Sequence, residues 1–222
     1  MRTLVIGDIH GCAVALRTLT EYVGLEAGDT LITLGDYVDR GPDSRGVVQH
    51  LLDLTKKCNL ITLKGNHEQI MELSTQSRLD RLMWNNVGGV STIISYEVDS
   101  PNNFPLEHRV FFENCQLYHE TPTHIFVHGG LQPDVDLEDQ DEEDLLWLRI
   151  DDLEAHHSGK IIVCGHTPQK DHKVLDLGYA LCLDTHVFAG GWLTCLELET
   201  GTYWQANELG ERRECRLEDL DR

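Results

Sequence analysis

The chain has 222 residues, 41% of them apolar and 25% charged, a balance typical of a globular protein that buries a full core. Acidic residues outnumber basic ones 38 to 18, and the formal net charge of −20 disfavours nucleic acid and anionic lipid as partners. This charge would also repel a phosphorylated substrate unless bound divalent cations offset it locally.

Three short apolar segments open the chain, and a helical pattern follows the first two. Predicted strands occupy residues 3–6, 31–34 and 60–63, and a glycine follows each within two residues. Apolar residues at helical spacing then occupy 14–23 and 47–54. This βαβ rhythm indicates an α/β fold, in which ligands bind beyond the carboxyl ends of parallel strands.

The middle of the chain has no clean strand period, so residues 68–118 are expected to form a helical cap over the site. Two further predicted strands, at 125–127 and 161–164, are followed by polar residues. Four short strands are then expected to form an antiparallel sheet that closes the domain, at 174–175, 179–183, 193–197 and 202–205. We therefore expect one domain over 1–207 and a charged, partly frayed tail over 208–222.

The cysteines and the first residues bear on the compartment. Seven cysteines are present, an odd number, without CxxC or CxxxC spacing, and we interpret them as reduced, mostly buried thiols. The start MRTLVIGDIHG lacks a basic region and a long apolar segment, so we expect no secretory signal. No apolar run is long enough to span a bilayer. The expected location is the cytoplasm.

Polar clusters follow five of the predicted strands. They are GDIHG at 7–11, GDYVDRG at 35–41, GNHE at 65–68, HGG at 128–130 and GHT at 165–167. Parallel strands bring their carboxyl ends to one edge of a sheet, so these clusters are expected to meet there. Their carboxylates, imidazoles and amide suit borderline divalent metals, and the glycines let a ligand approach closely.

These side chains are expected to hold two divalent ions, which lie ~3.5–4 Å apart in two-metal sites. Asp8 and His10 can reach one ion from a single loop, and Asp36 is the natural bridge. The residues that complete the second ion are Asn66, His128 and His166. A hydroxide shared by the ions would be the nucleophile, because metal charge lowers its pKa.

Each cluster also has a plain structural interpretation when it stands alone. GDIHG can be a strand-ending turn, GNHE a helix N-terminus, HGG a turn, and His166 a hydrogen-bonded buried histidine. Five clusters at five predicted strand ends make coincidence a poor explanation, and the combination favours the metal site.

The series of motifs resembles the PPP-family serine/threonine protein phosphatases, within the calcineurin-like metallophosphoesterases. The resemblance runs from about residue 3 to 205, and the length and short tail are similar to bacterial and phage members such as the bacteriophage lambda phosphatase. It implies a four-layer α/β/β/α sandwich with two facing sheets. It also implies manganese as the usual activating ion, with iron or zinc as alternatives. The implied ligands are Asp8, His10 and Asp36 for one metal, and Asp36, Asn66, His128 and His166 for the other.

The resemblance further implies roles in catalysis and substrate binding. His67 matches the general acid that protonates the leaving oxygen, and Asp39 matches the carboxylate that pairs with it. Arg40 matches a phosphate-binding arginine, whose planar fork suits two phosphate oxygens. Arg149 resembles a second such arginine, with a surface helix arginine as an equal alternative. Asn66 is expected to contact substrate as well as metal.

Four neighbouring residues are harder to assign. Lys64 stands where many relatives carry arginine, and it is expected to contact phosphate as a point charge. His186 stands where close relatives often carry glycine, and we expect it to pack near the site and not to ligate. Glu68 is expected to cap or brace its loop, and Asp184 to orient a ligating histidine.

Three functions fit this sequence. The leading hypothesis is a phosphomonoesterase acting on phosphoserine, phosphothreonine and also phosphotyrosine in phosphoproteins or phosphopeptides. The second is a symmetric diadenosine tetraphosphate hydrolase, which residues 184–195 resemble. Those hydrolases typically lack the aspartate at position 39 and read GNHD, so Asp39 and Glu68 favour the protein phosphatase. The third, a non-catalytic module on a degenerate scaffold, is disfavoured because every expected position is filled.

Overall fold

Two β-sheets run through the middle of the protein, whose computed structural model describes residues 1–220. The strands are β1 (Thr3–Ile6), β2 (Thr30–Thr33), β3 (Asn59–Thr62), β4 (Tyr118–Glu120), β5 (His124–Val127), β6 (Ile161–Cys164), β7 (Leu175–Asp176), β8 (Ala180–Cys182), β9 (Leu193–Glu197), β10 (Thr202–Ala206) and β11 (Arg212–Arg216). The first sheet has the order β11-β10-β9-β1-β2-β3 and the second β4-β5-β6-β8-β7. In both sheets the central strands that carry the polar clusters are parallel.

Helices cover the outer faces of the sheets and form the region above their carboxyl ends. The α-helices are α1 (Ala13–Val23), α2 (Ser44–Leu54), α3 (Asn66–Leu73), α4 (Arg78–Trp84), α5 (Val90–Tyr96), α6 (Leu106–Glu113) and α7 (Glu142–Trp147). No helix within residues 1–220 is long and apolar enough to cross a membrane. All seven cysteines are free, and five of them are buried, as the sequence predicted.

Successive side chains of β1 point to opposite faces of the first sheet and show how the layers are packed. Leu4 and Ile6 belong to the buried cluster that contains the apolar faces of α1 and α2. Val5, between them, points the other way, into a cluster shared with Phe126 of the second sheet. The opposite face of the second sheet packs Ile162 into a third cluster with α7. The layers are therefore helix, sheet, sheet, helix, and the expected α/β/β/α sandwich is confirmed.

Helices α4 to α6, residues 78–113, form what we call the cap. Helix α5 packs on α2, and a π-helix, Asn85–Gly89, connects α4 to α5. The helical pattern expected over 68–118 matches the elements from α3 to α6. The chain has returned to the sheets before residue 118, because Gln116 already pairs with Leu63.

Two expectations for the C-terminal part are wrong. The four short strands do not form one sheet, because β8 joins β6 in parallel in the second sheet whereas β9 and β10 extend the first. The segment 208–222 also contains β11, which pairs antiparallel with β10 and alternates exposed with half-buried residues. Because β11 is a charged edge strand, its composition is the same as that of a solvated tail, and the sequence pattern did not distinguish the two. Residues 221–222 lie outside the described residues.

Candidate metal centre

The six expected metal ligands meet where the carboxyl ends of the two sheets come together. Five of them are buried and His166 is half-buried. They follow β1, β2, β3, β5 and β6, so each loop begins where a parallel strand stops. The residues are Asp8, His10, Asp36, Asn66, His128 and His166.

Asp36 lies between imidazoles that come from the two sheets. Its Oδ2 is 3.3 Å from Nε2 of His10, and its Oδ1 is 3.4 Å from Nε2 of His128. Asn66 Oδ1 lies 2.9 Å from the same His128 nitrogen and 3.2 Å from Nδ1 of His166. Asp8 Oδ2 accepts the backbone N–H of His166 at 3.0 Å. Asp36 therefore has the central position expected of a bridging carboxylate.

The chemistry of this donor set fits divalent cations. Nδ1 of His10 donates to the Val38 carbonyl at 3.1 Å, and Nδ1 of His128 donates to the Leu34 carbonyl at 2.8 Å. Each Nε2 is then a lone-pair acceptor, and it faces oxygens that are also acceptors. Asp8 Oδ1 is buried without a hydrogen-bond partner. Converging acceptors outnumber the donors that reach them, which are the Arg40 guanidinium at His10 and the backbone N–H groups of His67 and His166. Positive charge would satisfy the remaining acceptors, so these residues suit the two-metal centre.

Burial and neighbouring charges favour the metal-binding protonation state in His10, His166 and Asp36, whereas they raise the pKa of Asp8 and favour its neutral form. Burial lowers the pKa of His10, and burial followed by the nearby His128 lowers the pKa of His166 to about 4. Burial opposes ionisation of Asp36, but the surrounding imidazoles, His128 first, hold its pKa below the ordinary value. Metal ions require unprotonated imidazoles and an ionised carboxylate, and bound cations would supply the positive charge that protonated imidazoles otherwise supply to Asp36.

The site loops have strained backbones. Five site residues adopt the left-handed conformation that is uncommon outside glycine. They are His10 (φ 46°), Asp36 (φ 50°), Asp39 (φ 71°), Arg40 (φ 68°) and His166 (φ 61°). Such conformations cost ~1–3 kcal/mol each and persist only where the surroundings enforce them, which is common at functional sites.

His67 and Asp39 form a buried pair at the edge of this cluster. Nδ1 of His67 is 2.7 Å from Oδ2 of Asp39, and the His67 ring centroid lies 4.8 Å from that of His10. Burial lowers the pKa of His67, but the charges of Asp36 and Asp39 and the hydrogen bond to Asp39 outweigh it, so the pKa is raised. The imidazole therefore favours the protonated form, which can donate a proton.

The cap holds Asp39 from above, a role that sequence reasoning missed. Trp84 Nε1 donates to both carboxylate oxygens, at 3.0 and 2.9 Å, and Thr92 Oγ1 donates to Oδ1 at 2.7 Å. The Gly88 carbonyl, in the π-helix, accepts the backbone N–H of Arg40 at 3.3 Å. The only sequence signal was the NNVGG interruption, and π-helices often mark functional sites.

The two expected phosphate-binding arginines differ in position. Arg40 is exposed, and its Nη1 lies 2.9 Å from Nε2 of His10. Arg149 is also exposed and its Nε lies 3.7 Å from Asp151, although its charge still contributes to the low pKa of His166. Arg40 is thus at the cluster, whereas Arg149 lies at its rim.

Glu68 braces the loops, as expected from the sequence. Its carboxylate is fully buried and accepts backbone N–H groups from Asp36, Gly65 and Tyr37 at 2.8–2.9 Å and from Val38 at 3.3 Å. Burial, with the charge of Asp36, raises the pKa of Glu68 to about 8, whereas the hydrogen bonds from Gly65 and Tyr37 favour the ionised form. The Glu68 side chain therefore joins the loop at 35–41 to the loop at 65–68.

Lys64 and Asp184 have different outcomes. The Lys64 ammonium lies 2.6 Å from Glu72 and 3.8 Å from Glu142, and its contact with phosphate stays a prediction. The expectation for Asp184 is wrong. Asp184 accepts the backbone N–H of His186 at 3.1 Å and no imidazole hydrogen bond to it is found in residues 1–220. Its charge instead raises the pKa of Asp8, after burial, and burial raises its own pKa to about 7.

A model of the calcineurin-like phosphoesterase family matches residues 1–192. The chain belongs to the calcineurin-like phosphoesterases. This confirms the resemblance indicated by the motifs and identifies the protein as a metal-binding phosphoesterase of a family that uses a dinuclear metal centre.

Individual relatives carry different names. The chain is 28% identical to "Serine/threonine-protein phosphatase 1" of Salmonella typhimurium, over 88% of this chain and 91% of that protein. It is 25% identical to "Bis(5'-nucleosyl)-tetraphosphatase PrpE [asymmetrical]" of Anoxybacillus flavithermus, again over 88% and 91%. The crystal structure of a cold-active protein-tyrosine phosphatase from a Shewanella species shares the fold, with a TM-score of 0.67, 16% identity, and coverage of 96% of this chain and 80% of that one. These names leave the substrate open.

Proposed function

We propose that this chain is a phosphomonoesterase that dephosphorylates serine and threonine side chains of proteins, with phosphotyrosine as a further substrate. The observation that carries the proposal is the buried pair of His67 and Asp39, 2.7 Å apart, beside the Asp36 cluster. When a serine or threonine phosphate is hydrolysed, the side-chain oxygen leaves as a strongly basic alkoxide, which needs a proton as it departs. A protonated imidazole held by a buried carboxylate is suited to supply it.

The ligands fit a pair of divalent ions, proposed to be manganese with iron or zinc as alternatives, which when bound supplies positive charge and activates water. The chain's own residues do the rest. Arg40 binds phosphoryl oxygens through its planar fork, and Asn66 orients the phosphate. His67 donates its proton to the leaving oxygen while Asp39 fixes the ring orientation. Arg149, at the rim, is proposed to contact the phosphate once substrate is present.

The proposed partners follow from this reaction and from the surface charge. Phosphoproteins or phosphopeptides are the substrates. A net charge of −20 disfavours nucleic acid and anionic membranes as partners. The proposed location is the cytoplasm.

A second candidate, hydrolysis of dinucleoside tetraphosphates, is favoured by the name of the Anoxybacillus relative. In the sequence, both Asp39 and Glu68 disfavoured the dinucleotide hydrolase. Their contacts in the structure show that Asp39 is the stronger of the two arguments. Among residues 1–220, the Glu68 carboxylate is hydrogen-bonded only to backbone N–H groups, so its length serves the loops. Asp39 contacts His67 directly. The preference for a monoesterase therefore rests on Asp39.

The substrate class is tested with metal-stripped protein to which Mn²⁺, Fe²⁺ or Zn²⁺ is added back singly. Phosphate release from phosphoserine, phosphothreonine and phosphotyrosine peptides is compared with nucleotide release from diadenosine tetraphosphate. We expect kcat/KM for a phosphoserine or phosphothreonine peptide to exceed that for the dinucleotide. Preferential release of ADP, or of AMP with ATP, would show that the second candidate is correct.

The proton donor is tested with His67→Asn. We expect kcat for a phosphoserine peptide to fall by about 10²–10⁴-fold, with a smaller loss for 4-nitrophenyl phosphate, because its leaving phenol needs less help from an acid. Mn²⁺ content should not change. His157→Asn, an exposed histidine 3.1 Å from Asp136, is the control. Wild-type turnover by His67→Asn on both substrates would exclude the proposed acid.

A further inference from the structure

Phe188 occupies the rim of the candidate centre without belonging to any of the polar clusters. It lies on a short 3-10 turn, Val187–Ala189, between β8 and β9, and is half-buried. Its ring contacts His10 edge-on, with centroids 4.9 Å apart at 80°. The guanidinium carbon of Arg40 lies over the same ring, 4.6 Å from its centroid. Phe188 therefore touches both an expected metal ligand and the expected phosphate-binding arginine.

Few contacts hold the guanidinium of Arg40. No salt bridge to Arg40 is found among residues 1–220, although the protein carries 38 acidic residues. Its side chain contacts Nε2 of His10 at 2.9 Å and the face of Phe188. The position of this charge therefore depends on an imidazole and a phenyl ring.

The two contacts of the Arg40 guanidinium differ in whether they leave Nε2 of His10 free to bind a metal ion. Because Nδ1 of His10 donates to the Val38 carbonyl, Nε2 carries the lone pair that a metal ion would use. A hydrogen bond from Arg40 to that lone pair and a metal ion on it exclude each other. The contact with Phe188 has no such conflict, because it uses the face of the ring.

We propose that Phe188 is a positioning residue whose ring holds the Arg40 guanidinium beside the site where phosphate binds. The inference rests on the proposed role of Arg40 in that function. A guanidinium stacked on a ring keeps its N–H groups free at its edge, where they can bind two phosphate oxygens. A carboxylate partner would occupy the same N–H groups and neutralise the charge.

His186 is a further neighbour of Phe188. Its ring contacts Phe188 edge-on, with centroids 4.8 Å apart. His186 has φ 65°, a left-handed conformation that a glycine adopts more easily. The Phe188 ring therefore has imidazole neighbours in both His10 and His186.

The test compares Phe188→Leu, which keeps apolar bulk without a π face, with Phe188→Tyr, which keeps the ring. For Phe188→Leu with Mn²⁺ present, we expect KM for 4-nitrophenyl phosphate and the inhibition constant of orthophosphate to rise together by about threefold to fivefold, the range of a cation–π contact. Phe188→Tyr should match wild type. Tyr22→Leu removes a comparable contact with Arg212, 4.7 Å away, and is the control expected to change neither constant.

A double-mutant cycle separates positioning from packing. In an Arg40→Ala background, Phe188→Leu should change neither the KM nor the orthophosphate constant further. The Mn²⁺ affinity of the metal-stripped protein, measured by calorimetry, should be the same for Phe188→Leu and wild type. An equal rise in KM without Arg40, or weaker Mn²⁺ binding by Phe188→Leu, would show that the ring only packs on His10 and would overturn the proposal.

These readouts do not depend on the natural substrate. An aryl phosphate and orthophosphate probe the phosphate position whether the protein acts on phosphoproteins or on dinucleotides. Failure of the phosphopeptide assay would therefore overturn the proposed function alone, whereas an uncoupled cycle would overturn the role of Phe188 alone.

Discussion

The strand-end loops and the cap build different parts of the candidate site. The loops carry all six expected metal ligands, which converge on Asp36 from both sheets. The cap carries none of these ligands, but Trp84 and Thr92 hold Asp39 in place, and the Gly88 carbonyl holds the Arg40 backbone. The two sheets thus position the expected metal ligands, and the cap positions the residues proposed to transfer the proton and bind the phosphate. Metal binding and proton transfer should therefore be separable by mutation.

The largest effect is expected at the centre of the loops. Asp36→Asn removes the charge of the proposed bridging carboxylate, so we expect kcat to fall by about 10³-fold or more and the bound metal to decrease. Metal analysis of purified protein and turnover of 4-nitrophenyl phosphate measure both. Asp53→Asn, an exposed carboxylate on α2, is the control. Unchanged metal content in Asp36→Asn would contradict the bridging role.

A smaller effect, of a different kind, is expected from the cap. Thr92→Val keeps the side-chain shape but removes the hydroxyl that donates to Asp39 Oδ1 at 2.7 Å. We expect kcat to fall by about 10- to 100-fold, as for other residues that orient a functional side chain, with Mn²⁺ affinity unchanged. Thr20→Val, at a buried threonine of α1 away from the site, should leave kcat unchanged. Loss of metal from Thr92→Val would remove the distinction between loops and cap.

Glu68 tests whether the loops are a rigid unit. In Glu68→Gln, an amide NH₂ would face backbone N–H groups that now donate to a carboxylate. We expect the free energy of unfolding of the metal-stripped protein to fall by about 1–3 kcal/mol, the cost of leaving buried donors unpaired. Urea denaturation measures this. A variant as stable as wild type would show that the loops do not need this brace.

The smallest effect is expected far from the site, where Arg2 joins Asp29 at 2.6 Å beside the start of β1 and β2. The Arg2 hydrogen bond lowers the pKa of Asp29 from 3.8 to about 2. This pair should therefore add about 1–2 kcal/mol of stability above pH 4, and the contribution should disappear as the pH falls towards 2. Urea denaturation of wild type and Asp29→Asn at pH 5 and pH 3 measures the difference. A gap that widened at low pH would contradict it, and turnover at neutral pH should not change.

The sequence showed the ligands more clearly than the residues that support them. The ligands follow strands within a few residues, so the local strand pattern and the polar cluster appear together in the chain. Trp84 and Thr92 stand 45 and 53 residues from Asp39, with no spacing that connects them to it. Phe188 likewise contacts Arg40 from a turn of ordinary composition.

The sequence by itself determined the βαβ rhythm, the family and the set of polar residues at the strand ends. The rhythm and the polar set follow from apolar periodicity and from the side chains adjacent to it, and the family follows from the resemblance of those motifs to known proteins. Only the tertiary structure decided which sheet each late strand joins, that 208–220 includes an edge strand, and which residues surround Asp39 and Arg40. The physical reason is that strand pairing and buried hydrogen bonds join residues far apart in the chain. Such partners depend on the packed arrangement of the elements, which local patterns do not specify.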